Sequence, residues 1–195
     1  MILRIILVIS LLVFSFPLAE ASHGFLERFN YTFEKDITSI TPFDIERNGK
    51  LSGLAVSTKE GKVYFFNSAG EIEGTYTFQV PVYAIAAFSH DENKKLDDIA
   101  VGALDSKVYA LWKPWSDFQV PPASYWWDFD TGGHVIFLES LDFGEYSDGY
   151  EYTRNRNFIA VGTIDFLKKS SKFMVLNSSG YLNWSVSLSS PVNDV

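Results

Sequence analysis

The residues with the most chemical potential lie in WKPWSDFQVPPASYWWDF, Trp112 to Phe129, which holds four of the five tryptophans of the chain. Pro114, Pro121 and Pro122 impose loop-like geometry there. Flat rings on a loop stack on sugar faces or anchor a protein partner, and Trp and Tyr are enriched at such hot spots. Trp115 and Tyr125 are the candidates for this surface role. Trp126 or Trp127, together with Phe129, fit better as rings packed between layers.

Catalytic constellations are harder to find. His23, His90 and His134 stand far apart in sequence, there is no cysteine to supply a thiolate, and neither HExxH nor GxSxG occurs. Glu139, Asp142 and Glu145 are carboxylates without a spacing that singles out an acid–base pair, and solvated surface positions suit them. No catalytic residue is predicted, and a non-enzymatic role is the favoured reading.

The elements that must position these residues are strands. SGLAVST, GKVYFFN and GTYTFQV are short, rich in Val, Phe, Tyr and Thr, and bounded by turn residues. In the first unit they predict strands over 37–45, 51–57, 62–67 and 74–80. The pattern then repeats. Leu54-Ala55-Val56 returns as Ile99-Ala100-Val101 after 45 residues and as Ile159-Ala160-Val161 after a further 60. Lys62-Val63-Tyr64 returns as Lys107-Val108-Tyr109 after 45 and as Lys172-Phe173-Met174 after a further 65, which places an insertion between Thr163 and Ser171. Phe43 is matched to Phe88 at 45 and to Phe143 at a further 55.

Four short strands in each such unit predict an all-β fold, a β-propeller of four-stranded antiparallel blades. The expected blades cover 37–80, 82–130 and 137–188, with an orphan fourth strand at 25–33 and the first strand of another unit at 191–195. About three complete blades plus two partial ones make an incomplete ring, to be completed by more chain or by further copies. Such a stack leaves edges and apolar faces open, so self-association through blade edges is expected.

The ends and the composition set the compartment. MILRIILVISLLVFSFPLAEAS opens with Arg4, an apolar run from Ile5 to Leu18, and Ala19-Glu20-Ala21 as a small-x-small cleavage site. Residues 1–21 therefore read as a signal peptide, with 22–195 as an extracytoplasmic partial propeller. The run is shorter than the roughly 20 residues that a membrane span needs, so a retained anchor is the weaker reading. A net charge of −8, spread without long blocks, argues against nucleic acid and anionic membranes as partners. Asn30-Tyr31-Thr32, Asn177-Ser178-Ser179 and Asn183-Trp184-Ser185 are glycan-acceptor tripeptides.

NSSGYLNWSVSLSSPVNDV, Asn177 to Val195, resembles the repeat of PQQ-type, quinoprotein-like propellers, with Gly180 after a third strand and Trp184 on the fourth. FDIERNGKLSGLAV and FSHDENKKLDDIAVGA are similar instead to the FG-GAP repeats of integrin-like propellers. Neither repeat is matched in full: Gly70 is kept without its Trp in the first copy, and the second has Trp112 without the glycine turn. The resemblance implies an extracytoplasmic scaffold or recognition propeller.

The FG-GAP resemblance also raises calcium, which takes several oxygens from alternating residues of a tight loop. Asp91, Asn93 and Asp97 would form such a loop in the second copy, although Lys94 stands where a glycine is wanted. Asp44, Glu46, Asn48 and Gly49 offer the first-copy version, with Ser52 in place of a closing carboxylate. A solvated polar turn is the simpler reading of both. No cofactor is predicted, and calcium is the ion these loops would suit. The leading function is a non-enzymatic module that binds a protein or a cell-envelope polymer. The alternatives are a fragment of a quinoprotein-type dehydrogenase and a structural module of a larger surface protein.

Overall fold

The computed structural model describes residues 31–90, 95–112, 125–146 and 154–189. The expected signal peptide, most of the expected orphan strand, Asp91, Asn93, Trp115 and the segment 191–195 lie outside these residues.

The chain is all-β. Twelve strands run in order: β1 (Ile37–Phe43), β2 (Gly53–Thr58), β3 (Lys62–Phe66), β4 (Ile72–Thr77), β5 (Val82–Phe88), β6 (Asp98–Ala103), β7 (Lys107–Trp112), β8 (Tyr125–Asp130), β9 (His134–Tyr146), β10 (Arg154–Asp165), β11 (Ser170–Asn177) and β12 (Leu182–Leu188). They form three antiparallel four-stranded sheets, β1-β2-β3-β4, β5-β6-β7-β8 and β9-β10-β11-β12. Among the described residues no helix is long and apolar enough to cross a membrane.

The repeat extends to the irregularities of the sheets. A register shift lies between Phe65 and Phe66, between Ala110 and Leu111, and between Val175 and Leu176, at one position of the third strand in each sheet. A second set skips one residue of each first strand: Thr38, Tyr83 and Ile136. The expected match of Phe43 and Phe88 with Phe143 is corrected by this register. Phe43 pairs with Gly53, Phe88 with Asp98 and Leu141 with Phe158, so Leu141 is the third member. A slip of two residues keeps the same strand face, which is why the apolar pattern did not reveal it. The insertion expected between Thr163 and Ser171 lengthens the β10–β11 hairpin, adding the pairs Ile164↔Ser171 and Asp165↔Ser170.

Packing explains why the central strands are apolar without alternation. Those of the second sheet are covered on both faces, as in sheets sandwiched between layers. Along β6, Ile99 and Val101 enter a core shared with the first sheet, while Ala100 enters a core shared with the third. The second sheet turns its bulkier residues (Ile85, Ile99, Val101, Leu111) back toward Phe43, Val63 and Phe65. It turns four alanines (Ala84, Ala86, Ala100, Ala110) forward beside Phe88 and Val108, toward Ile159, Val161, Met174 and Leu176. At this second boundary small residues meet large ones, which lets the layers approach closely. Gly102 shows how closely, since a Cβ there would fall 2.3 Å from Cγ1 of Val135 in the next sheet.

The outer face of the first sheet has a different cover. Tyr31 and Phe33 lie over Tyr64 and Phe66, with ring centroids 5.3 Å apart for both Phe33–Tyr64 and Tyr31–Phe66. The same arrangement recurs one sheet on, where Phe78 lies 5.2 Å from Tyr109. Spacing within the two aromatic pairs also agrees, 4.7 Å for Tyr31–Phe33 and 4.8 Å for Tyr76–Phe78. Residues 31–33 thus lie over the first sheet as Tyr76 and Phe78 lie over the second, although they are not in strand conformation.

Candidate functional site

Antiparallel strands send their connections alternately to two rims of the stack. On one rim the connections are tight. Gly61, Pro81, Leu104 and Ser106 accept or donate short backbone bonds there, such as Leu104 N to Pro81 O at 3.0 Å and Thr131 N to Ser106 O at 2.9 Å. His134 belongs to this rim, bonded through Nδ1 to the Leu104 carbonyl at 2.5 Å.

The other rim gathers the unusual residues. The β1–β2 loop is built around Asp44, which is buried and whose carboxylate accepts backbone N–H bonds from Asn48 at 3.1 Å and Gly49 at 2.6 Å. Arg47 and Gly49 take positive φ angles of 57° and 84° to close it. The loop then reaches onto the second sheet. Asp44 N donates to Leu96 O at 2.8 Å, Lys95 Nζ to Arg47 O at 2.5 Å, and Arg47 Nε to Asp97 Oδ2 at 2.5 Å. Asp97 is fully buried, so the guanidinium is what makes its charge tolerable.

Next to it, Asp98 is equally buried and pairs through Oδ2 with Nδ1 of His90. Burial pushes the Asp98 carboxyl above the usual carboxylate range, and the His90 bond opposes that only in part. The Oδ1 atoms of Asp97 and Asp98 have no hydrogen-bond partner. His90 in turn meets the edge of Trp126, with ring centroids 4.2 Å apart. Trp126 is about half exposed, at 48%.

The aromatic residues therefore divide by face. Trp127 and Phe129 pack against the core between the second and third sheets, as expected. Tyr125 is half-buried, packed on the first core with its ring 5.0 Å from Tyr109, so only part of it is open for the surface role expected of it. Trp126 presents more open surface. Sequence could not choose between Trp126 and Trp127, because one residue reverses the face of a strand.

The expected calcium loop meets competition. Asp97, its one described member, is already paired with Arg47, and Asp44 spends its oxygens on backbone N–H groups. Among the described residues no group of three or more His, Asp or Glu side chains is placed to hold a metal ion.

A cavity of about 390 Å³ lies where the first strands of the three sheets converge. Thr38, Ile40, Tyr83, Ile136 and Glu139 are among its lining residues. On one side its wall is bridged, Ser39 Oγ accepting from Ile85 N at 3.3 Å and Thr41 Oγ1 from Ala87 N at 3.4 Å. At the register positions of Ser39 and Thr41 the second sheet has Ala84 and Ala86, which offer no such bridge to β9. Among the described residues Glu139 brings a single carboxylate to the cavity, and His90 and His134 lie elsewhere.

No protein-family model matches the chain, and no curated protein matches it in sequence. Solved structures match it in shape. BamB from Moraxella catarrhalis aligns with a TM-score of 0.50 at 14% identity, over 80% of this chain and 38% of its own. Sqt1 from Saccharomyces cerevisiae aligns with a TM-score of 0.51 at 12% identity, over 78% of this chain and 35% of its own. The chain thus spans well under half the length of these structures. What the likeness shows is the fold: the three sheets are blades of a β-propeller.

Proposed function

We propose that this chain is a non-enzymatic propeller module that binds a protein or a cell-envelope polymer outside the cytoplasm. One observation carries the reading: the β1–β2 loop, both buried aspartate clamps and the exposed Trp126 indole lie on one rim, opposite a rim of tight turns. Rigid clamps under an exposed ring favour recognition, because an anchor fixed in advance loses little freedom on binding. The segment 1–21, with its Arg4, apolar run and small-residue site, supports export.

A glycan array and a pull-down from an envelope fraction test this with the full chain. Trp126→Ala should weaken capture by about tenfold or more, with Trp115→Ala as the parallel variant. Binding that neither substitution changes would remove the aromatic rim from the account. Export is checked separately by fusing residues 1–21 to a reporter, which should leave the cytoplasm.

A second reading, a structural module within a larger surface assembly, is favoured by the third blade. Its outer strand β12 exposes Trp184, Val186 and Leu188 along one face, with Leu182 exposed on the other side of the bulge. Self-association through such a face belongs to this reading.

A further inference from the structure

β12 repeats β8 without the contact that β8 makes. Trp184 pairs with Val175, and Trp127 with Ala110, each beside the same bulge of its sheet. Trp127 has a seat in the next blade. Its Nε1–H donates to the Ser178 carbonyl at 3.0 Å, and its ring lies so close to Gly180 that a Cβ there would come within 2.6 Å. That seat is the turn Asn177-Ser178-Ser179-Gly180. Asn177 Oδ1 accepts from Ser179 N and Tyr181 N, and Gly180 has a φ of 82°.

The first blade carries the same turn. In Asn67-Ser68-Ala69-Gly70, Asn67 Oδ1 accepts from Ala69 N and Glu71 N, and Gly70 has a φ of 81°. Ser68 is exposed. Among the described residues a tryptophan without a seat thus stands at one end of the stack, and a seat of the same build stands at the other.

Deepening the self-association reading above, we propose that β12 and the Asn67–Gly70 turn are the two halves of a head-to-tail contact between copies of this chain. It would continue the contact already made between the second and third blades. Such a contact is heterologous, so it closes a ring or propagates according to the rotation per copy. Beside the turn lie Tyr64 and Phe66, at the register positions of Met174 and Leu176. In the single chain Tyr31 and Phe33 cover them. Val186 stands at the register position of Tyr76, so β12 of a second copy and the leading residues compete for one face. Tyr31 and Phe33 are a cap that assembly must displace.

Sedimentation equilibrium of the full chain tests this. Tyr31→Ser with Phe33→Ser should let copies associate at about tenfold lower concentration than wild type or less, and adding Trp184→Ala should reverse the gain. Trp184→Phe, which keeps a ring and loses the N–H donor, should fall between. Should the cap variant fail to fold, wild type is compared with Trp184→Ala at rising concentration, and only wild type should associate. A cap variant that stays monomeric, or association that Trp184→Ala leaves unchanged, overturns the proposal. Trp126→Ala should leave association intact, so a failed rim and a failed end contact are told apart. If association is seen but proves indifferent to Trp184, general stickiness of blade edges survives and this contact does not.

Discussion

β4 and β12 are the same strand of the blade in different surroundings. Each is the outer strand of its sheet, paired on one side only, to β3 and β11. Tyr76 in β4 is 8% exposed and Val186, at the same register position in β12, is 44% exposed. Pairing is equal, so the difference comes from the next blade, whose Tyr109 and Tyr125 face the Tyr76–Phe78 pair. Stability in this fold therefore resides between blades more than within them, as in other repeat stacks.

That contrast can be broken most forcefully at the first boundary. Phe65→Ala removes a ring with no exposed surface from the first core and should cost about 3–5 kcal/mol in chemical denaturation. Val186→Ala, in the matching face of the uncovered blade, should stay within about 0.5 kcal/mol. Equal losses would mean that the last blade is covered after all.

The rim clamp comes next. Arg47→Met leaves Asp97 buried without its guanidinium and should cost about 3 kcal/mol. Because the partners belong to different blades, the loss should also loosen the first boundary, seen as faster amide exchange in β1. Gly102→Ala places a methyl against Val135 and should cost about 2 kcal/mol through overpacking at the second boundary.

The smallest effect is a pH dependence. Burial raises the Asp98 carboxyl, so the folded chain holds that proton at pH values where an unfolded chain has released it. Its contribution is fully present below the ordinary carboxylate pKa and is lost as pH rises through the raised value. Wild type should therefore lose stability relative to Asp98→Asn from about pH 4 upward. Parallel pH profiles for the two proteins would show that the carboxyl is solvated.

Much of the fold was legible because a blade writes itself repeatedly. Leu54-Ala55-Val56 and its copies recur since each second strand needs a small residue facing forward and branched residues facing back. Other features had no such signature. The apolar pattern points to Phe143 where Leu141 stands, because two residues restore the same face. The rim was less legible still. Arg47 and Asp97 are 50 residues apart, and no local spacing announces their bond. Trp126 and Trp127 are neighbours whose fates are opposite, decided by strand register and not by residue type.

Amide hydrogen exchange on dilute chain tests the central claim most directly, that burial by the following blade governs this stack. Gly74–Thr77 of β4 and Trp184–Ser187 of β12 make equivalent pairings. The β12 amides should exchange about a hundredfold faster or more, as in locally opening elements with little buried contact. Equal protection of the two strands in a chain shown to be monomeric would contradict the account.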